Sequence, residues 1–354
     1  MRLSVVFIAI HLSVIFYLYP SDIIGASHFG HWLYIITGFL LEFLLLFLYL
    51  SGLSTFPKED ITSIVNRCGP WWARLLLLPL LVYFFMSFVL LIRSHAELLT
   101  IIFLPTTPIW AILLLLFIIP LFVSIHGHRT ILRGSFALMI TILPLILFSL
   151  FSCFQNINIH FFFPIEPEPT FWYDEHFLKS LLAHSPFLSL GIFSRYLSFA
   201  VSQTRKYLYA AMLFLLPFYL LSVYIPILTF APDTAQKLRF PIPVALDTVN
   251  LEWLFFDRIT MFYVVATVSF IYVNTSVMVW IMSTLTVNLY TSISRTKICW
   301  GIIGVAYVIC ILVPDWETID WLISLDTPLR LYCIIFIPLL IYGIGFYYRR
   351  RNLT

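Results

Sequence analysis

The sequence predicts an all-α polytopic membrane protein that crosses the bilayer about ten times. The chain of 354 residues is 61% hydrophobic and only 10% charged, whereas soluble domains carry about 25% charged residues. Its apolar residues come in runs of roughly 17–25, the length that crosses a hydrocarbon layer about 30 Å thick. Because that layer holds no water, each run must satisfy its own backbone groups as a helix.

Ten segments carry such runs, and together they form a single transmembrane domain over residues 1–354. Arg2 followed by an apolar run resembles a signal peptide, but nine further segments follow, so we interpret it as a helix that stays in the membrane. The predicted helices are 3–19, 32–50, 71–92, 107–125, 131–153, 178–200, 206–229, 258–286, 297–313 and 330–348.

The sequence predicts a break in the backbone hydrogen bonds of the sixth helix. Ser185 and Pro186 interrupt it, and Gly191 follows. Proline lacks a backbone donor and clashes with the preceding turn of a helix. Such an interruption is tolerated at membrane depth only where it faces protein or a cavity.

Lysine and arginine are distributed unequally between the two sides of this topology. The N-terminus, the even-numbered connections and the C-terminus hold 14 of the 20 basic residues, while Arg330 lies on the other side. The positive-inside rule therefore predicts that both termini are cytoplasmic, which requires an even number of helices.

In the second connection, Ile61, Ile64 and Val65 lie on one face of a predicted short amphipathic cytoplasmic helix.

Ionisable residues within apolar runs are costly and are therefore candidates for function. Glu42 lies in the middle of the second helix, and it belongs either to a polar pathway or to a structural hydrogen bond with a neighbouring helix. Arg93 and Glu97 are spaced to form an ion pair on one helix face. Asp257 and Arg258 open the eighth helix, where an acidic residue favours the helix dipole.

The eighth predicted helix also carries a polar stripe that includes Asn274 and Ser276. Small polar residues often join membrane helices to one another. Alternatively, part of the stripe lines a cavity, with Asn274 as its best candidate because an amide both donates and accepts hydrogen bonds.

No motif of an enzyme, a metal site or a nucleic-acid-binding protein is present. The sequence has no GxSxG, HExxH, P-loop or GxGxxG pattern. Its five cysteines are scattered without a CxxC pair, and His126 and His128 alone do not make a metal site. A net charge of +3 is too small to indicate nucleic acid. We therefore expect no catalytic activity, metal or cofactor, and the lipid bilayer as the surrounding partner.

Short stretches along nearly the whole chain carry a resemblance to a known family. They are, in order, Pro20, Leu41-Glu42, Arg93 with Ala96-Glu97, Thr107-Pro108, Gly127, Leu190-Gly191, Phe240-Pro241, Asp257-Arg258 and a basic C-terminus. With the ten-helix pattern, they resemble the B subunit of bacterial spore nutrient-germinant receptors. That family is similar to the amino acid–polyamine–cation transporters.

The resemblance implies an inverted repeat of two five-helix units, with helices one and six broken around a small-molecule site. It places the break of helix one at His11 to Ile15, and Ser185–Gly191 is the matching break of helix six. Tyr83 and Ser87 share a face of helix three and are added as candidates. The complete set of predicted ligand-lining residues is Ser13, Val14, Tyr83, Ser87, Leu190, Gly191, Asn274 and Met278.

The resemblance further implies a receptor subunit of the spore inner membrane that senses an amino acid or nucleoside. Its implied partners are an A-type membrane subunit and a C-type lipoprotein. Two alternatives stay open, namely an ion-coupled secondary transporter of amino acids and a scaffold subunit that has lost ligand binding.

Overall fold

The computed structural model describes residues 2–166, 174–196, 202–250, 258–290 and 292–351. All regular elements in these ranges are helical. Eight helices are long and apolar enough to cross a membrane, and the bent pair near the N-terminus makes a ninth if it counts as one span. The predicted all-α polytopic fold class is thereby confirmed.

The helices are numbered here in chain order, and several are far longer than the roughly 20 residues needed for one crossing. They are α1 (Arg2–Ile15), α2 (Tyr19–Gly25), α3 (His31–Leu53), α4 (Ile61–Asn66), α5 (Pro70–Ile102), α6 (Ile109–His126), α7 (His128–Ser152), α8 (Glu175–Ser180), α9 (Leu190–Phe193), α10 (Ser202–Phe230), α11 (Pro232–Ala235), α12 (Pro241–Asp247), α13 (Thr260–Leu289), α14 (Arg295–Leu312), α15 (Trp316–Leu331) and α16 (Ile337–Arg351).

Two predicted helix boundaries are wrong because polar residues near the helix ends concealed them from hydropathy. The third predicted helix was expected to end at residue 92, but α5 continues to Ile102. Arg93 makes this possible, because it pairs with Glu97 at 2.6 Å and donates to the carbonyl of Val313 at 3.1 Å. The pairing predicted for Arg93 and Glu97 is therefore confirmed.

The tenth predicted helix begins 14 residues earlier than expected, at Trp316, and runs to Arg351 through a π-helical turn at Tyr332–Phe336. Asp315 caps it by accepting a hydrogen bond from the backbone N–H of Thr318 at 2.9 Å. Arg330 was expected as the first residue of this helix, at the end that lies away from the chain termini. It lies inside the helix instead, with a side chain that is 0% exposed.

The first membrane segment is broken between α1 and α2, whose axes differ by 50°. Pro20 lies in the first turn of α2 and cannot donate to the carbonyl of Phe16, four residues earlier. That carbonyl accepts a hydrogen bond from the hydroxyl of Tyr263 on α13 instead. The break predicted at His11–Ile15 therefore lies at residues 16–18, because proline rather than glycine causes it.

The segment between α8 and α9 occupies the place of the sixth predicted helix. It consists of two short 3₁₀ turns, Leu181–His184 and Pro186–Ser189, and we call it the 181–189 break. Pro186 cannot donate to the carbonyl of Leu182. The hydroxyl of Ser185 donates to this carbonyl at 2.8 Å. The predicted interruption at Ser185-Pro186 is thus confirmed.

The two sides of the bundle are distinguished by the chain ends. Arg349, near the end of α16, donates to the hydroxyl of Thr55 at 2.7 Å, just after the end of α3. Since α3 returns to the side where α1 began, Arg2 and Arg351 share this side, which we call the terminal face; the other side is the opposite face. On the terminal face, the apolar side of α4 is buried as predicted.

Arg330 stabilises the half of the broken sixth segment that lies towards the opposite face. Its guanidinium donates to the carbonyls of Leu178 and Lys179, at 3.2 and 2.9 Å, at the end of α8. It also pairs with the buried carboxylate of Asp326 at 3.2 Å. A cation at a helix C-terminus stabilises the helix dipole, so α15 stabilises α8 in its position.

Substitution of Arg330 by methionine should therefore lower the free energy of unfolding by about 3–5 kcal/mol, because it leaves the Asp326 carboxylate buried without its partner. The double variant Arg330→Met/Asp326→Leu should recover part of that loss. Thermal unfolding of the purified protein in detergent measures both effects. Arg133→Met, at an exposed arginine, is the control, and a loss at Arg330 no larger than this control would contradict the interpretation.

Candidate functional site

The two breaks lie side by side at the centre of the bundle. The aromatic ring of Tyr19, which follows the break of helix one, packs edge-on against the ring of His184, with 5.6 Å between centroids. On the other side of the first break, the hydroxyl of Tyr17 donates to the carbonyl of Ser94 on α5 at 2.5 Å. The first, third and sixth predicted helices therefore meet as predicted, here as α1 and α2, α5 and the 181–189 break.

Glu42 forms the centre of a buried polar network between these elements. Its Oε1 lies 2.7 Å from Nε2 of His11 on α1, and its Oε2 lies 2.8 Å from Nδ1 of His184 in the 181–189 break. The hydroxyl of Tyr219 on α10 lies 3.2 Å from the same Oε2. The Glu42 and His11 side chains are 0% exposed and that of His184 is 2% exposed.

The network is held in place by aromatic packing and by one glycine. The rings of His184 and Tyr219 are stacked with 4.7 Å between centroids and 12° between planes. Gly38 lies one helical turn from Glu42 on α3, and a Cβ at this position would lie 2.6 Å from Nε2 of His184. The absence of a side chain at Gly38 therefore provides the space that the imidazole occupies.

Two predicted ligand-lining residues form a direct contact on the other side of α1. The amide of Asn274 on α13 donates to the hydroxyl of Ser13 at 2.8 Å. Both residues are buried, as are the neighbouring predicted residues Val14 and Met278. Both interpretations of Asn274 remain compatible with this contact, since a hydroxyl–amide pair both joins helices and can bind a polar ligand.

Two further predicted residues, Tyr83 and Ser87, present buried hydroxyls without a hydrogen-bond partner, and so does Ser189, which was not predicted. The hydroxyls of Tyr83, Ser87 and Ser189 make no hydrogen bond, although each is shielded from solvent. Ser87 and Ser185 lie close enough to the Tyr83 hydroxyl that a small movement would form hydrogen bonds with it, so α5 and the 181–189 break meet at this point. Buried polar groups are nearly always hydrogen-bonded, so these hydroxyls are the best-supported candidates for contacting a ligand.

The remaining predicted pair, Leu190 and Gly191, lies at the packed start of α9. Both residues are buried. A Cβ at Gly191 would lie 2.0 Å from the hydroxyl of Tyr49 and 3.2 Å from Cβ of Ile61. Gly191 thus permits close approach of α9 to α3 and α4, and its contribution to a ligand site stays a prediction.

Of the predicted eighth-helix charges, Asp257 lies outside the described residues, and Arg258 is exposed.

Three central residues, His11, His184 and Tyr219, were not predicted as partners of Glu42. Histidines inside apolar runs were the available signal, because an ionisable group at membrane depth almost always pairs with another polar group.

A cavity of about 250 Å³ lies on the opposite face, directly above the break of helix one. Leu18 of the break and Asp22 of α2 line it, together with Arg239, Trp316 and Asp320. The guanidinium of Arg239 lies 4.5 Å from the ring centroid of Trp316. The cavity thus presents acidic, basic and aromatic groups, which suit a small polar molecule.

The terminal face is closed by a network around Asp60. This carboxylate is fully buried and caps α4 by accepting from the backbone N–H of Ser63 at 2.9 Å. It also accepts from Arg195, just beyond α9, and from Asn288 of α13, each at 3.3 Å. Asp60 therefore connects three separate elements at this end of the bundle. A cavity of about 310 Å³ lies beside it.

The space left by Gly38 provides a test of the Glu42 network. Gly38→Ala should displace the imidazole of His184 and destabilise the protein by about 1–3 kcal/mol, the usual cost of overpacking a core. Gly301→Ala is the matched control, because a Cβ at Gly301 would have no neighbour within 4 Å. Equal melting temperatures for the two variants would show that His184 is not held as described.

The fold of this chain is similar to that of solved transporters at low sequence identity. A Na⁺-coupled sialic acid symporter in a substrate-bound, outward-open state has a TM-score of 0.64 and 11% identity, over 94% of this chain and 78% of that one. A manganese transporter of Eremococcus coleocola has a TM-score of 0.62 and 14% identity, over 96% and 78%. MhsT, in complex with L-phenylalanine, has a TM-score of 0.56 and 11% identity, over 98% of both chains.

These likenesses show the fold, which is an inverted repeat of five-helix units with broken first and sixth helices. No curated protein matches the sequence. A family model described as spore germination protein matches residues 1–318, about nine-tenths of the chain. This chain has a transporter-like membrane fold, and it belongs to the spore germination protein family.

Proposed function

We propose that this chain is the ligand-sensing membrane subunit of a nutrient-germinant receptor. It binds a small germinant, an amino acid or a nucleoside, between the broken helices, and binding triggers germination. The family membership and the transporter fold support this role. The observation that carries it is the pair of buried hydroxyls of Tyr83 and Ser87, which lie where α5 meets Ser185 of the 181–189 break.

The geometry supports a sensing mechanism based on a change of conformation. A ligand that bonds these hydroxyls gains contacts that the empty protein lacks. Because the 181–189 break also contacts α1 through His184 and Glu42, a ligand at the break favours one arrangement of the two broken helices. A ligand shifts a conformational equilibrium only through such a difference in affinity.

The proposed setting is the spore inner membrane, with both termini in the cytoplasm. The excess of lysine and arginine at the termini and in the even-numbered connections supports this orientation. The proposed partners are an A-type membrane subunit and a C-type lipoprotein. A chain that served only as a scaffold would bind these partners but no ligand.

Replacing the unpartnered hydroxyls should weaken the response to nutrient without weakening the protein. In Tyr83→Phe or Ser87→Ala, the nutrient concentration for half-maximal germination rate should rise about 2–10-fold, the effect of losing one hydrogen bond to a ligand. Germination of spores that carry each variant is the measurement, with protein levels checked by immunoblot.

Ser149→Ala is the matched control for this experiment. Its hydroxyl is also buried but donates to the carbonyl of Leu145 in its own helix at 2.9 Å, so the nutrient response should stay unchanged. An unchanged response in both Tyr83→Phe and Ser87→Ala, at normal protein levels, would place the ligand elsewhere.

A secondary transporter is the second candidate, and the similarity of the fold to a Na⁺-coupled symporter favours it. Uptake of radiolabelled amino acids and nucleosides by liposomes that contain this chain alone separates the two roles. A receptor subunit should show no accumulation above protein-free liposomes, whereas accumulation driven by a proton or sodium gradient would identify a transporter.

A further inference from the structure

The contact between His11 and Glu42 determines where two protons lie. Nδ1 of His11 is 2.6 Å from the carbonyl oxygen of Phe7. A carbonyl can only accept, so Nδ1 carries a hydrogen. Nε2 of the same ring is 2.7 Å from Oε1 of Glu42, a distance that requires a hydrogen between the two atoms. Either an imidazolium faces a carboxylate or a carboxylic acid faces a neutral imidazole, and both arrangements hold the same number of protons.

The second oxygen of Glu42 completes an electrically neutral cluster. It accepts from Nδ1 of His184 at 2.8 Å. The hydroxyl of Tyr219 divides its single hydrogen between this oxygen and the carbonyl of Ala183, at 3.2 and 3.0 Å. The His11–Glu42 contact has no net charge in either arrangement, and Oε2 of Glu42 accepts hydrogen bonds in both. Neutrality of this kind suits a group with no access to water.

The other elements that pack on α1 place hydroxyls, an amide and apolar side chains around the cluster. His11 and His184 are therefore the groups that share protons with Glu42. Tyr219 on α10 and Tyr19 on α2 lie beside Glu42. From α13, Tyr263 and Asn274 contact the backbone of Phe16 and the side chain of Ser13. The side chains that α7 buries are apolar or carry a hydroxyl, without a charged group among them.

We propose that the His11–Glu42 contact is a binding site for one exchangeable proton, and that this proton holds α1 against α3. The proton comes from water and returns to it, and no bond between heavier atoms changes. Once it leaves, two acceptor atoms face each other at 2.7 Å in a medium of low dielectric constant, where their repulsion is strong. The contact then opens, and the break at residues 16–18 allows α1 to move independently of α2.

This inference concerns the protein's own proton, and it holds for a receptor as well as for a transporter. The ligand is the hydrogen ion, and its release shifts the population towards a state in which α1 has separated from α3. The proposal therefore predicts two observables, the location of the proton and a movement of α1 that depends on pH.

Magnetic resonance of the wild-type chain tests the location of the proton. The full chain is labelled with ¹⁵N-histidine and ¹³C-glutamate, placed in lipid nanodiscs at pH 7, and compared with His11→Gln and Glu42→Gln to assign the signals. We expect either a His11 ring with hydrogens on both nitrogens or a protonated Glu42 carboxyl. A His11 ring without hydrogen on Nε2, beside an ionised Glu42, would overturn the proposal.

Distance measurements between spin labels test the movement of α1. One label is placed on Arg2→Cys at the exposed start of α1, and the other on native Cys68, which is exposed while the other four cysteines are buried. We expect the distance distribution to shift as pH rises, with a dependence that fits the loss of one proton. A wild-type distribution that does not change while the protein stays folded would overturn the proposal.

Glu42→Gln provides the decisive comparison, because glutamine has the same shape and keeps both hydrogen bonds but has no exchangeable proton of this kind. It should abolish the shift. Glu97→Gln is the matched control, since Glu97 pairs with Arg93 on the opposite face, and it should keep the shift. A shift that persists unchanged in Glu42→Gln would overturn the proposal, and the spectrum of the wild type decides the matter if this variant does not fold.

Discussion

The structure depends on how two interrupted helices satisfy their backbone groups away from water. Pro20 and Pro186 each release the carbonyl four residues earlier, and an unsatisfied carbonyl at membrane depth costs several kcal/mol. Tyr263 supplies the donor for the first carbonyl, and Ser185 supplies it for the second. The first donor comes from a neighbouring helix, whereas the second is local. The position of α1 is therefore linked to α13, while the carbonyl in the 181–189 break is satisfied locally and the break obtains its position from other contacts.

Those other contacts involve two buried charged groups with different functions. Arg330 binds the last carbonyls of α8 and thereby positions the segment that precedes the 181–189 break. Glu42 binds His184 within that break and His11 on α1. Removal of Arg330 affects one broken segment, whereas removal of Glu42 affects both. This difference explains why Glu42, although it lies on the unbroken α3, is the residue through which the two breaks influence each other.

Sequence alone predicted the parts of this arrangement that depend on local rules. Hydropathy runs predicted the helices, and the i,i+4 spacing predicted the Arg93–Glu97 pair. The presence of Pro186 predicted the second break at its correct position. These features follow from residues within one or two helical turns, so a single sequence contains the information that they require.

Features that depend on packing between distant helices were not predictable in this way. Glu42 was recognised as unusual, but 31 and 142 residues separate it from His11 and His184, and no local rule brings them together. The first break was misplaced because Pro20 was interpreted as the end of a helix rather than the cause of a bend. Arg330 was expected at the start of the last helix, whereas contacts with α8 and with Asp326 bury it inside a longer helix.

The shared 181–189 break also determines how a nutrient and a proton must act on each other, if both bind as proposed. Ser185 adjoins the Tyr83 hydroxyl of the proposed ligand site, and His184, the residue before it, contacts the carboxylate that shares a proton with His11. A ligand that moves the break alters the geometry at Oε2 of Glu42 and therefore the affinity of the carboxylate for its proton. By thermodynamic linkage, the proton must change the affinity for the ligand by the same factor. Nutrient sensing and proton binding in this protein are then two readouts of one equilibrium between arrangements of the broken helices.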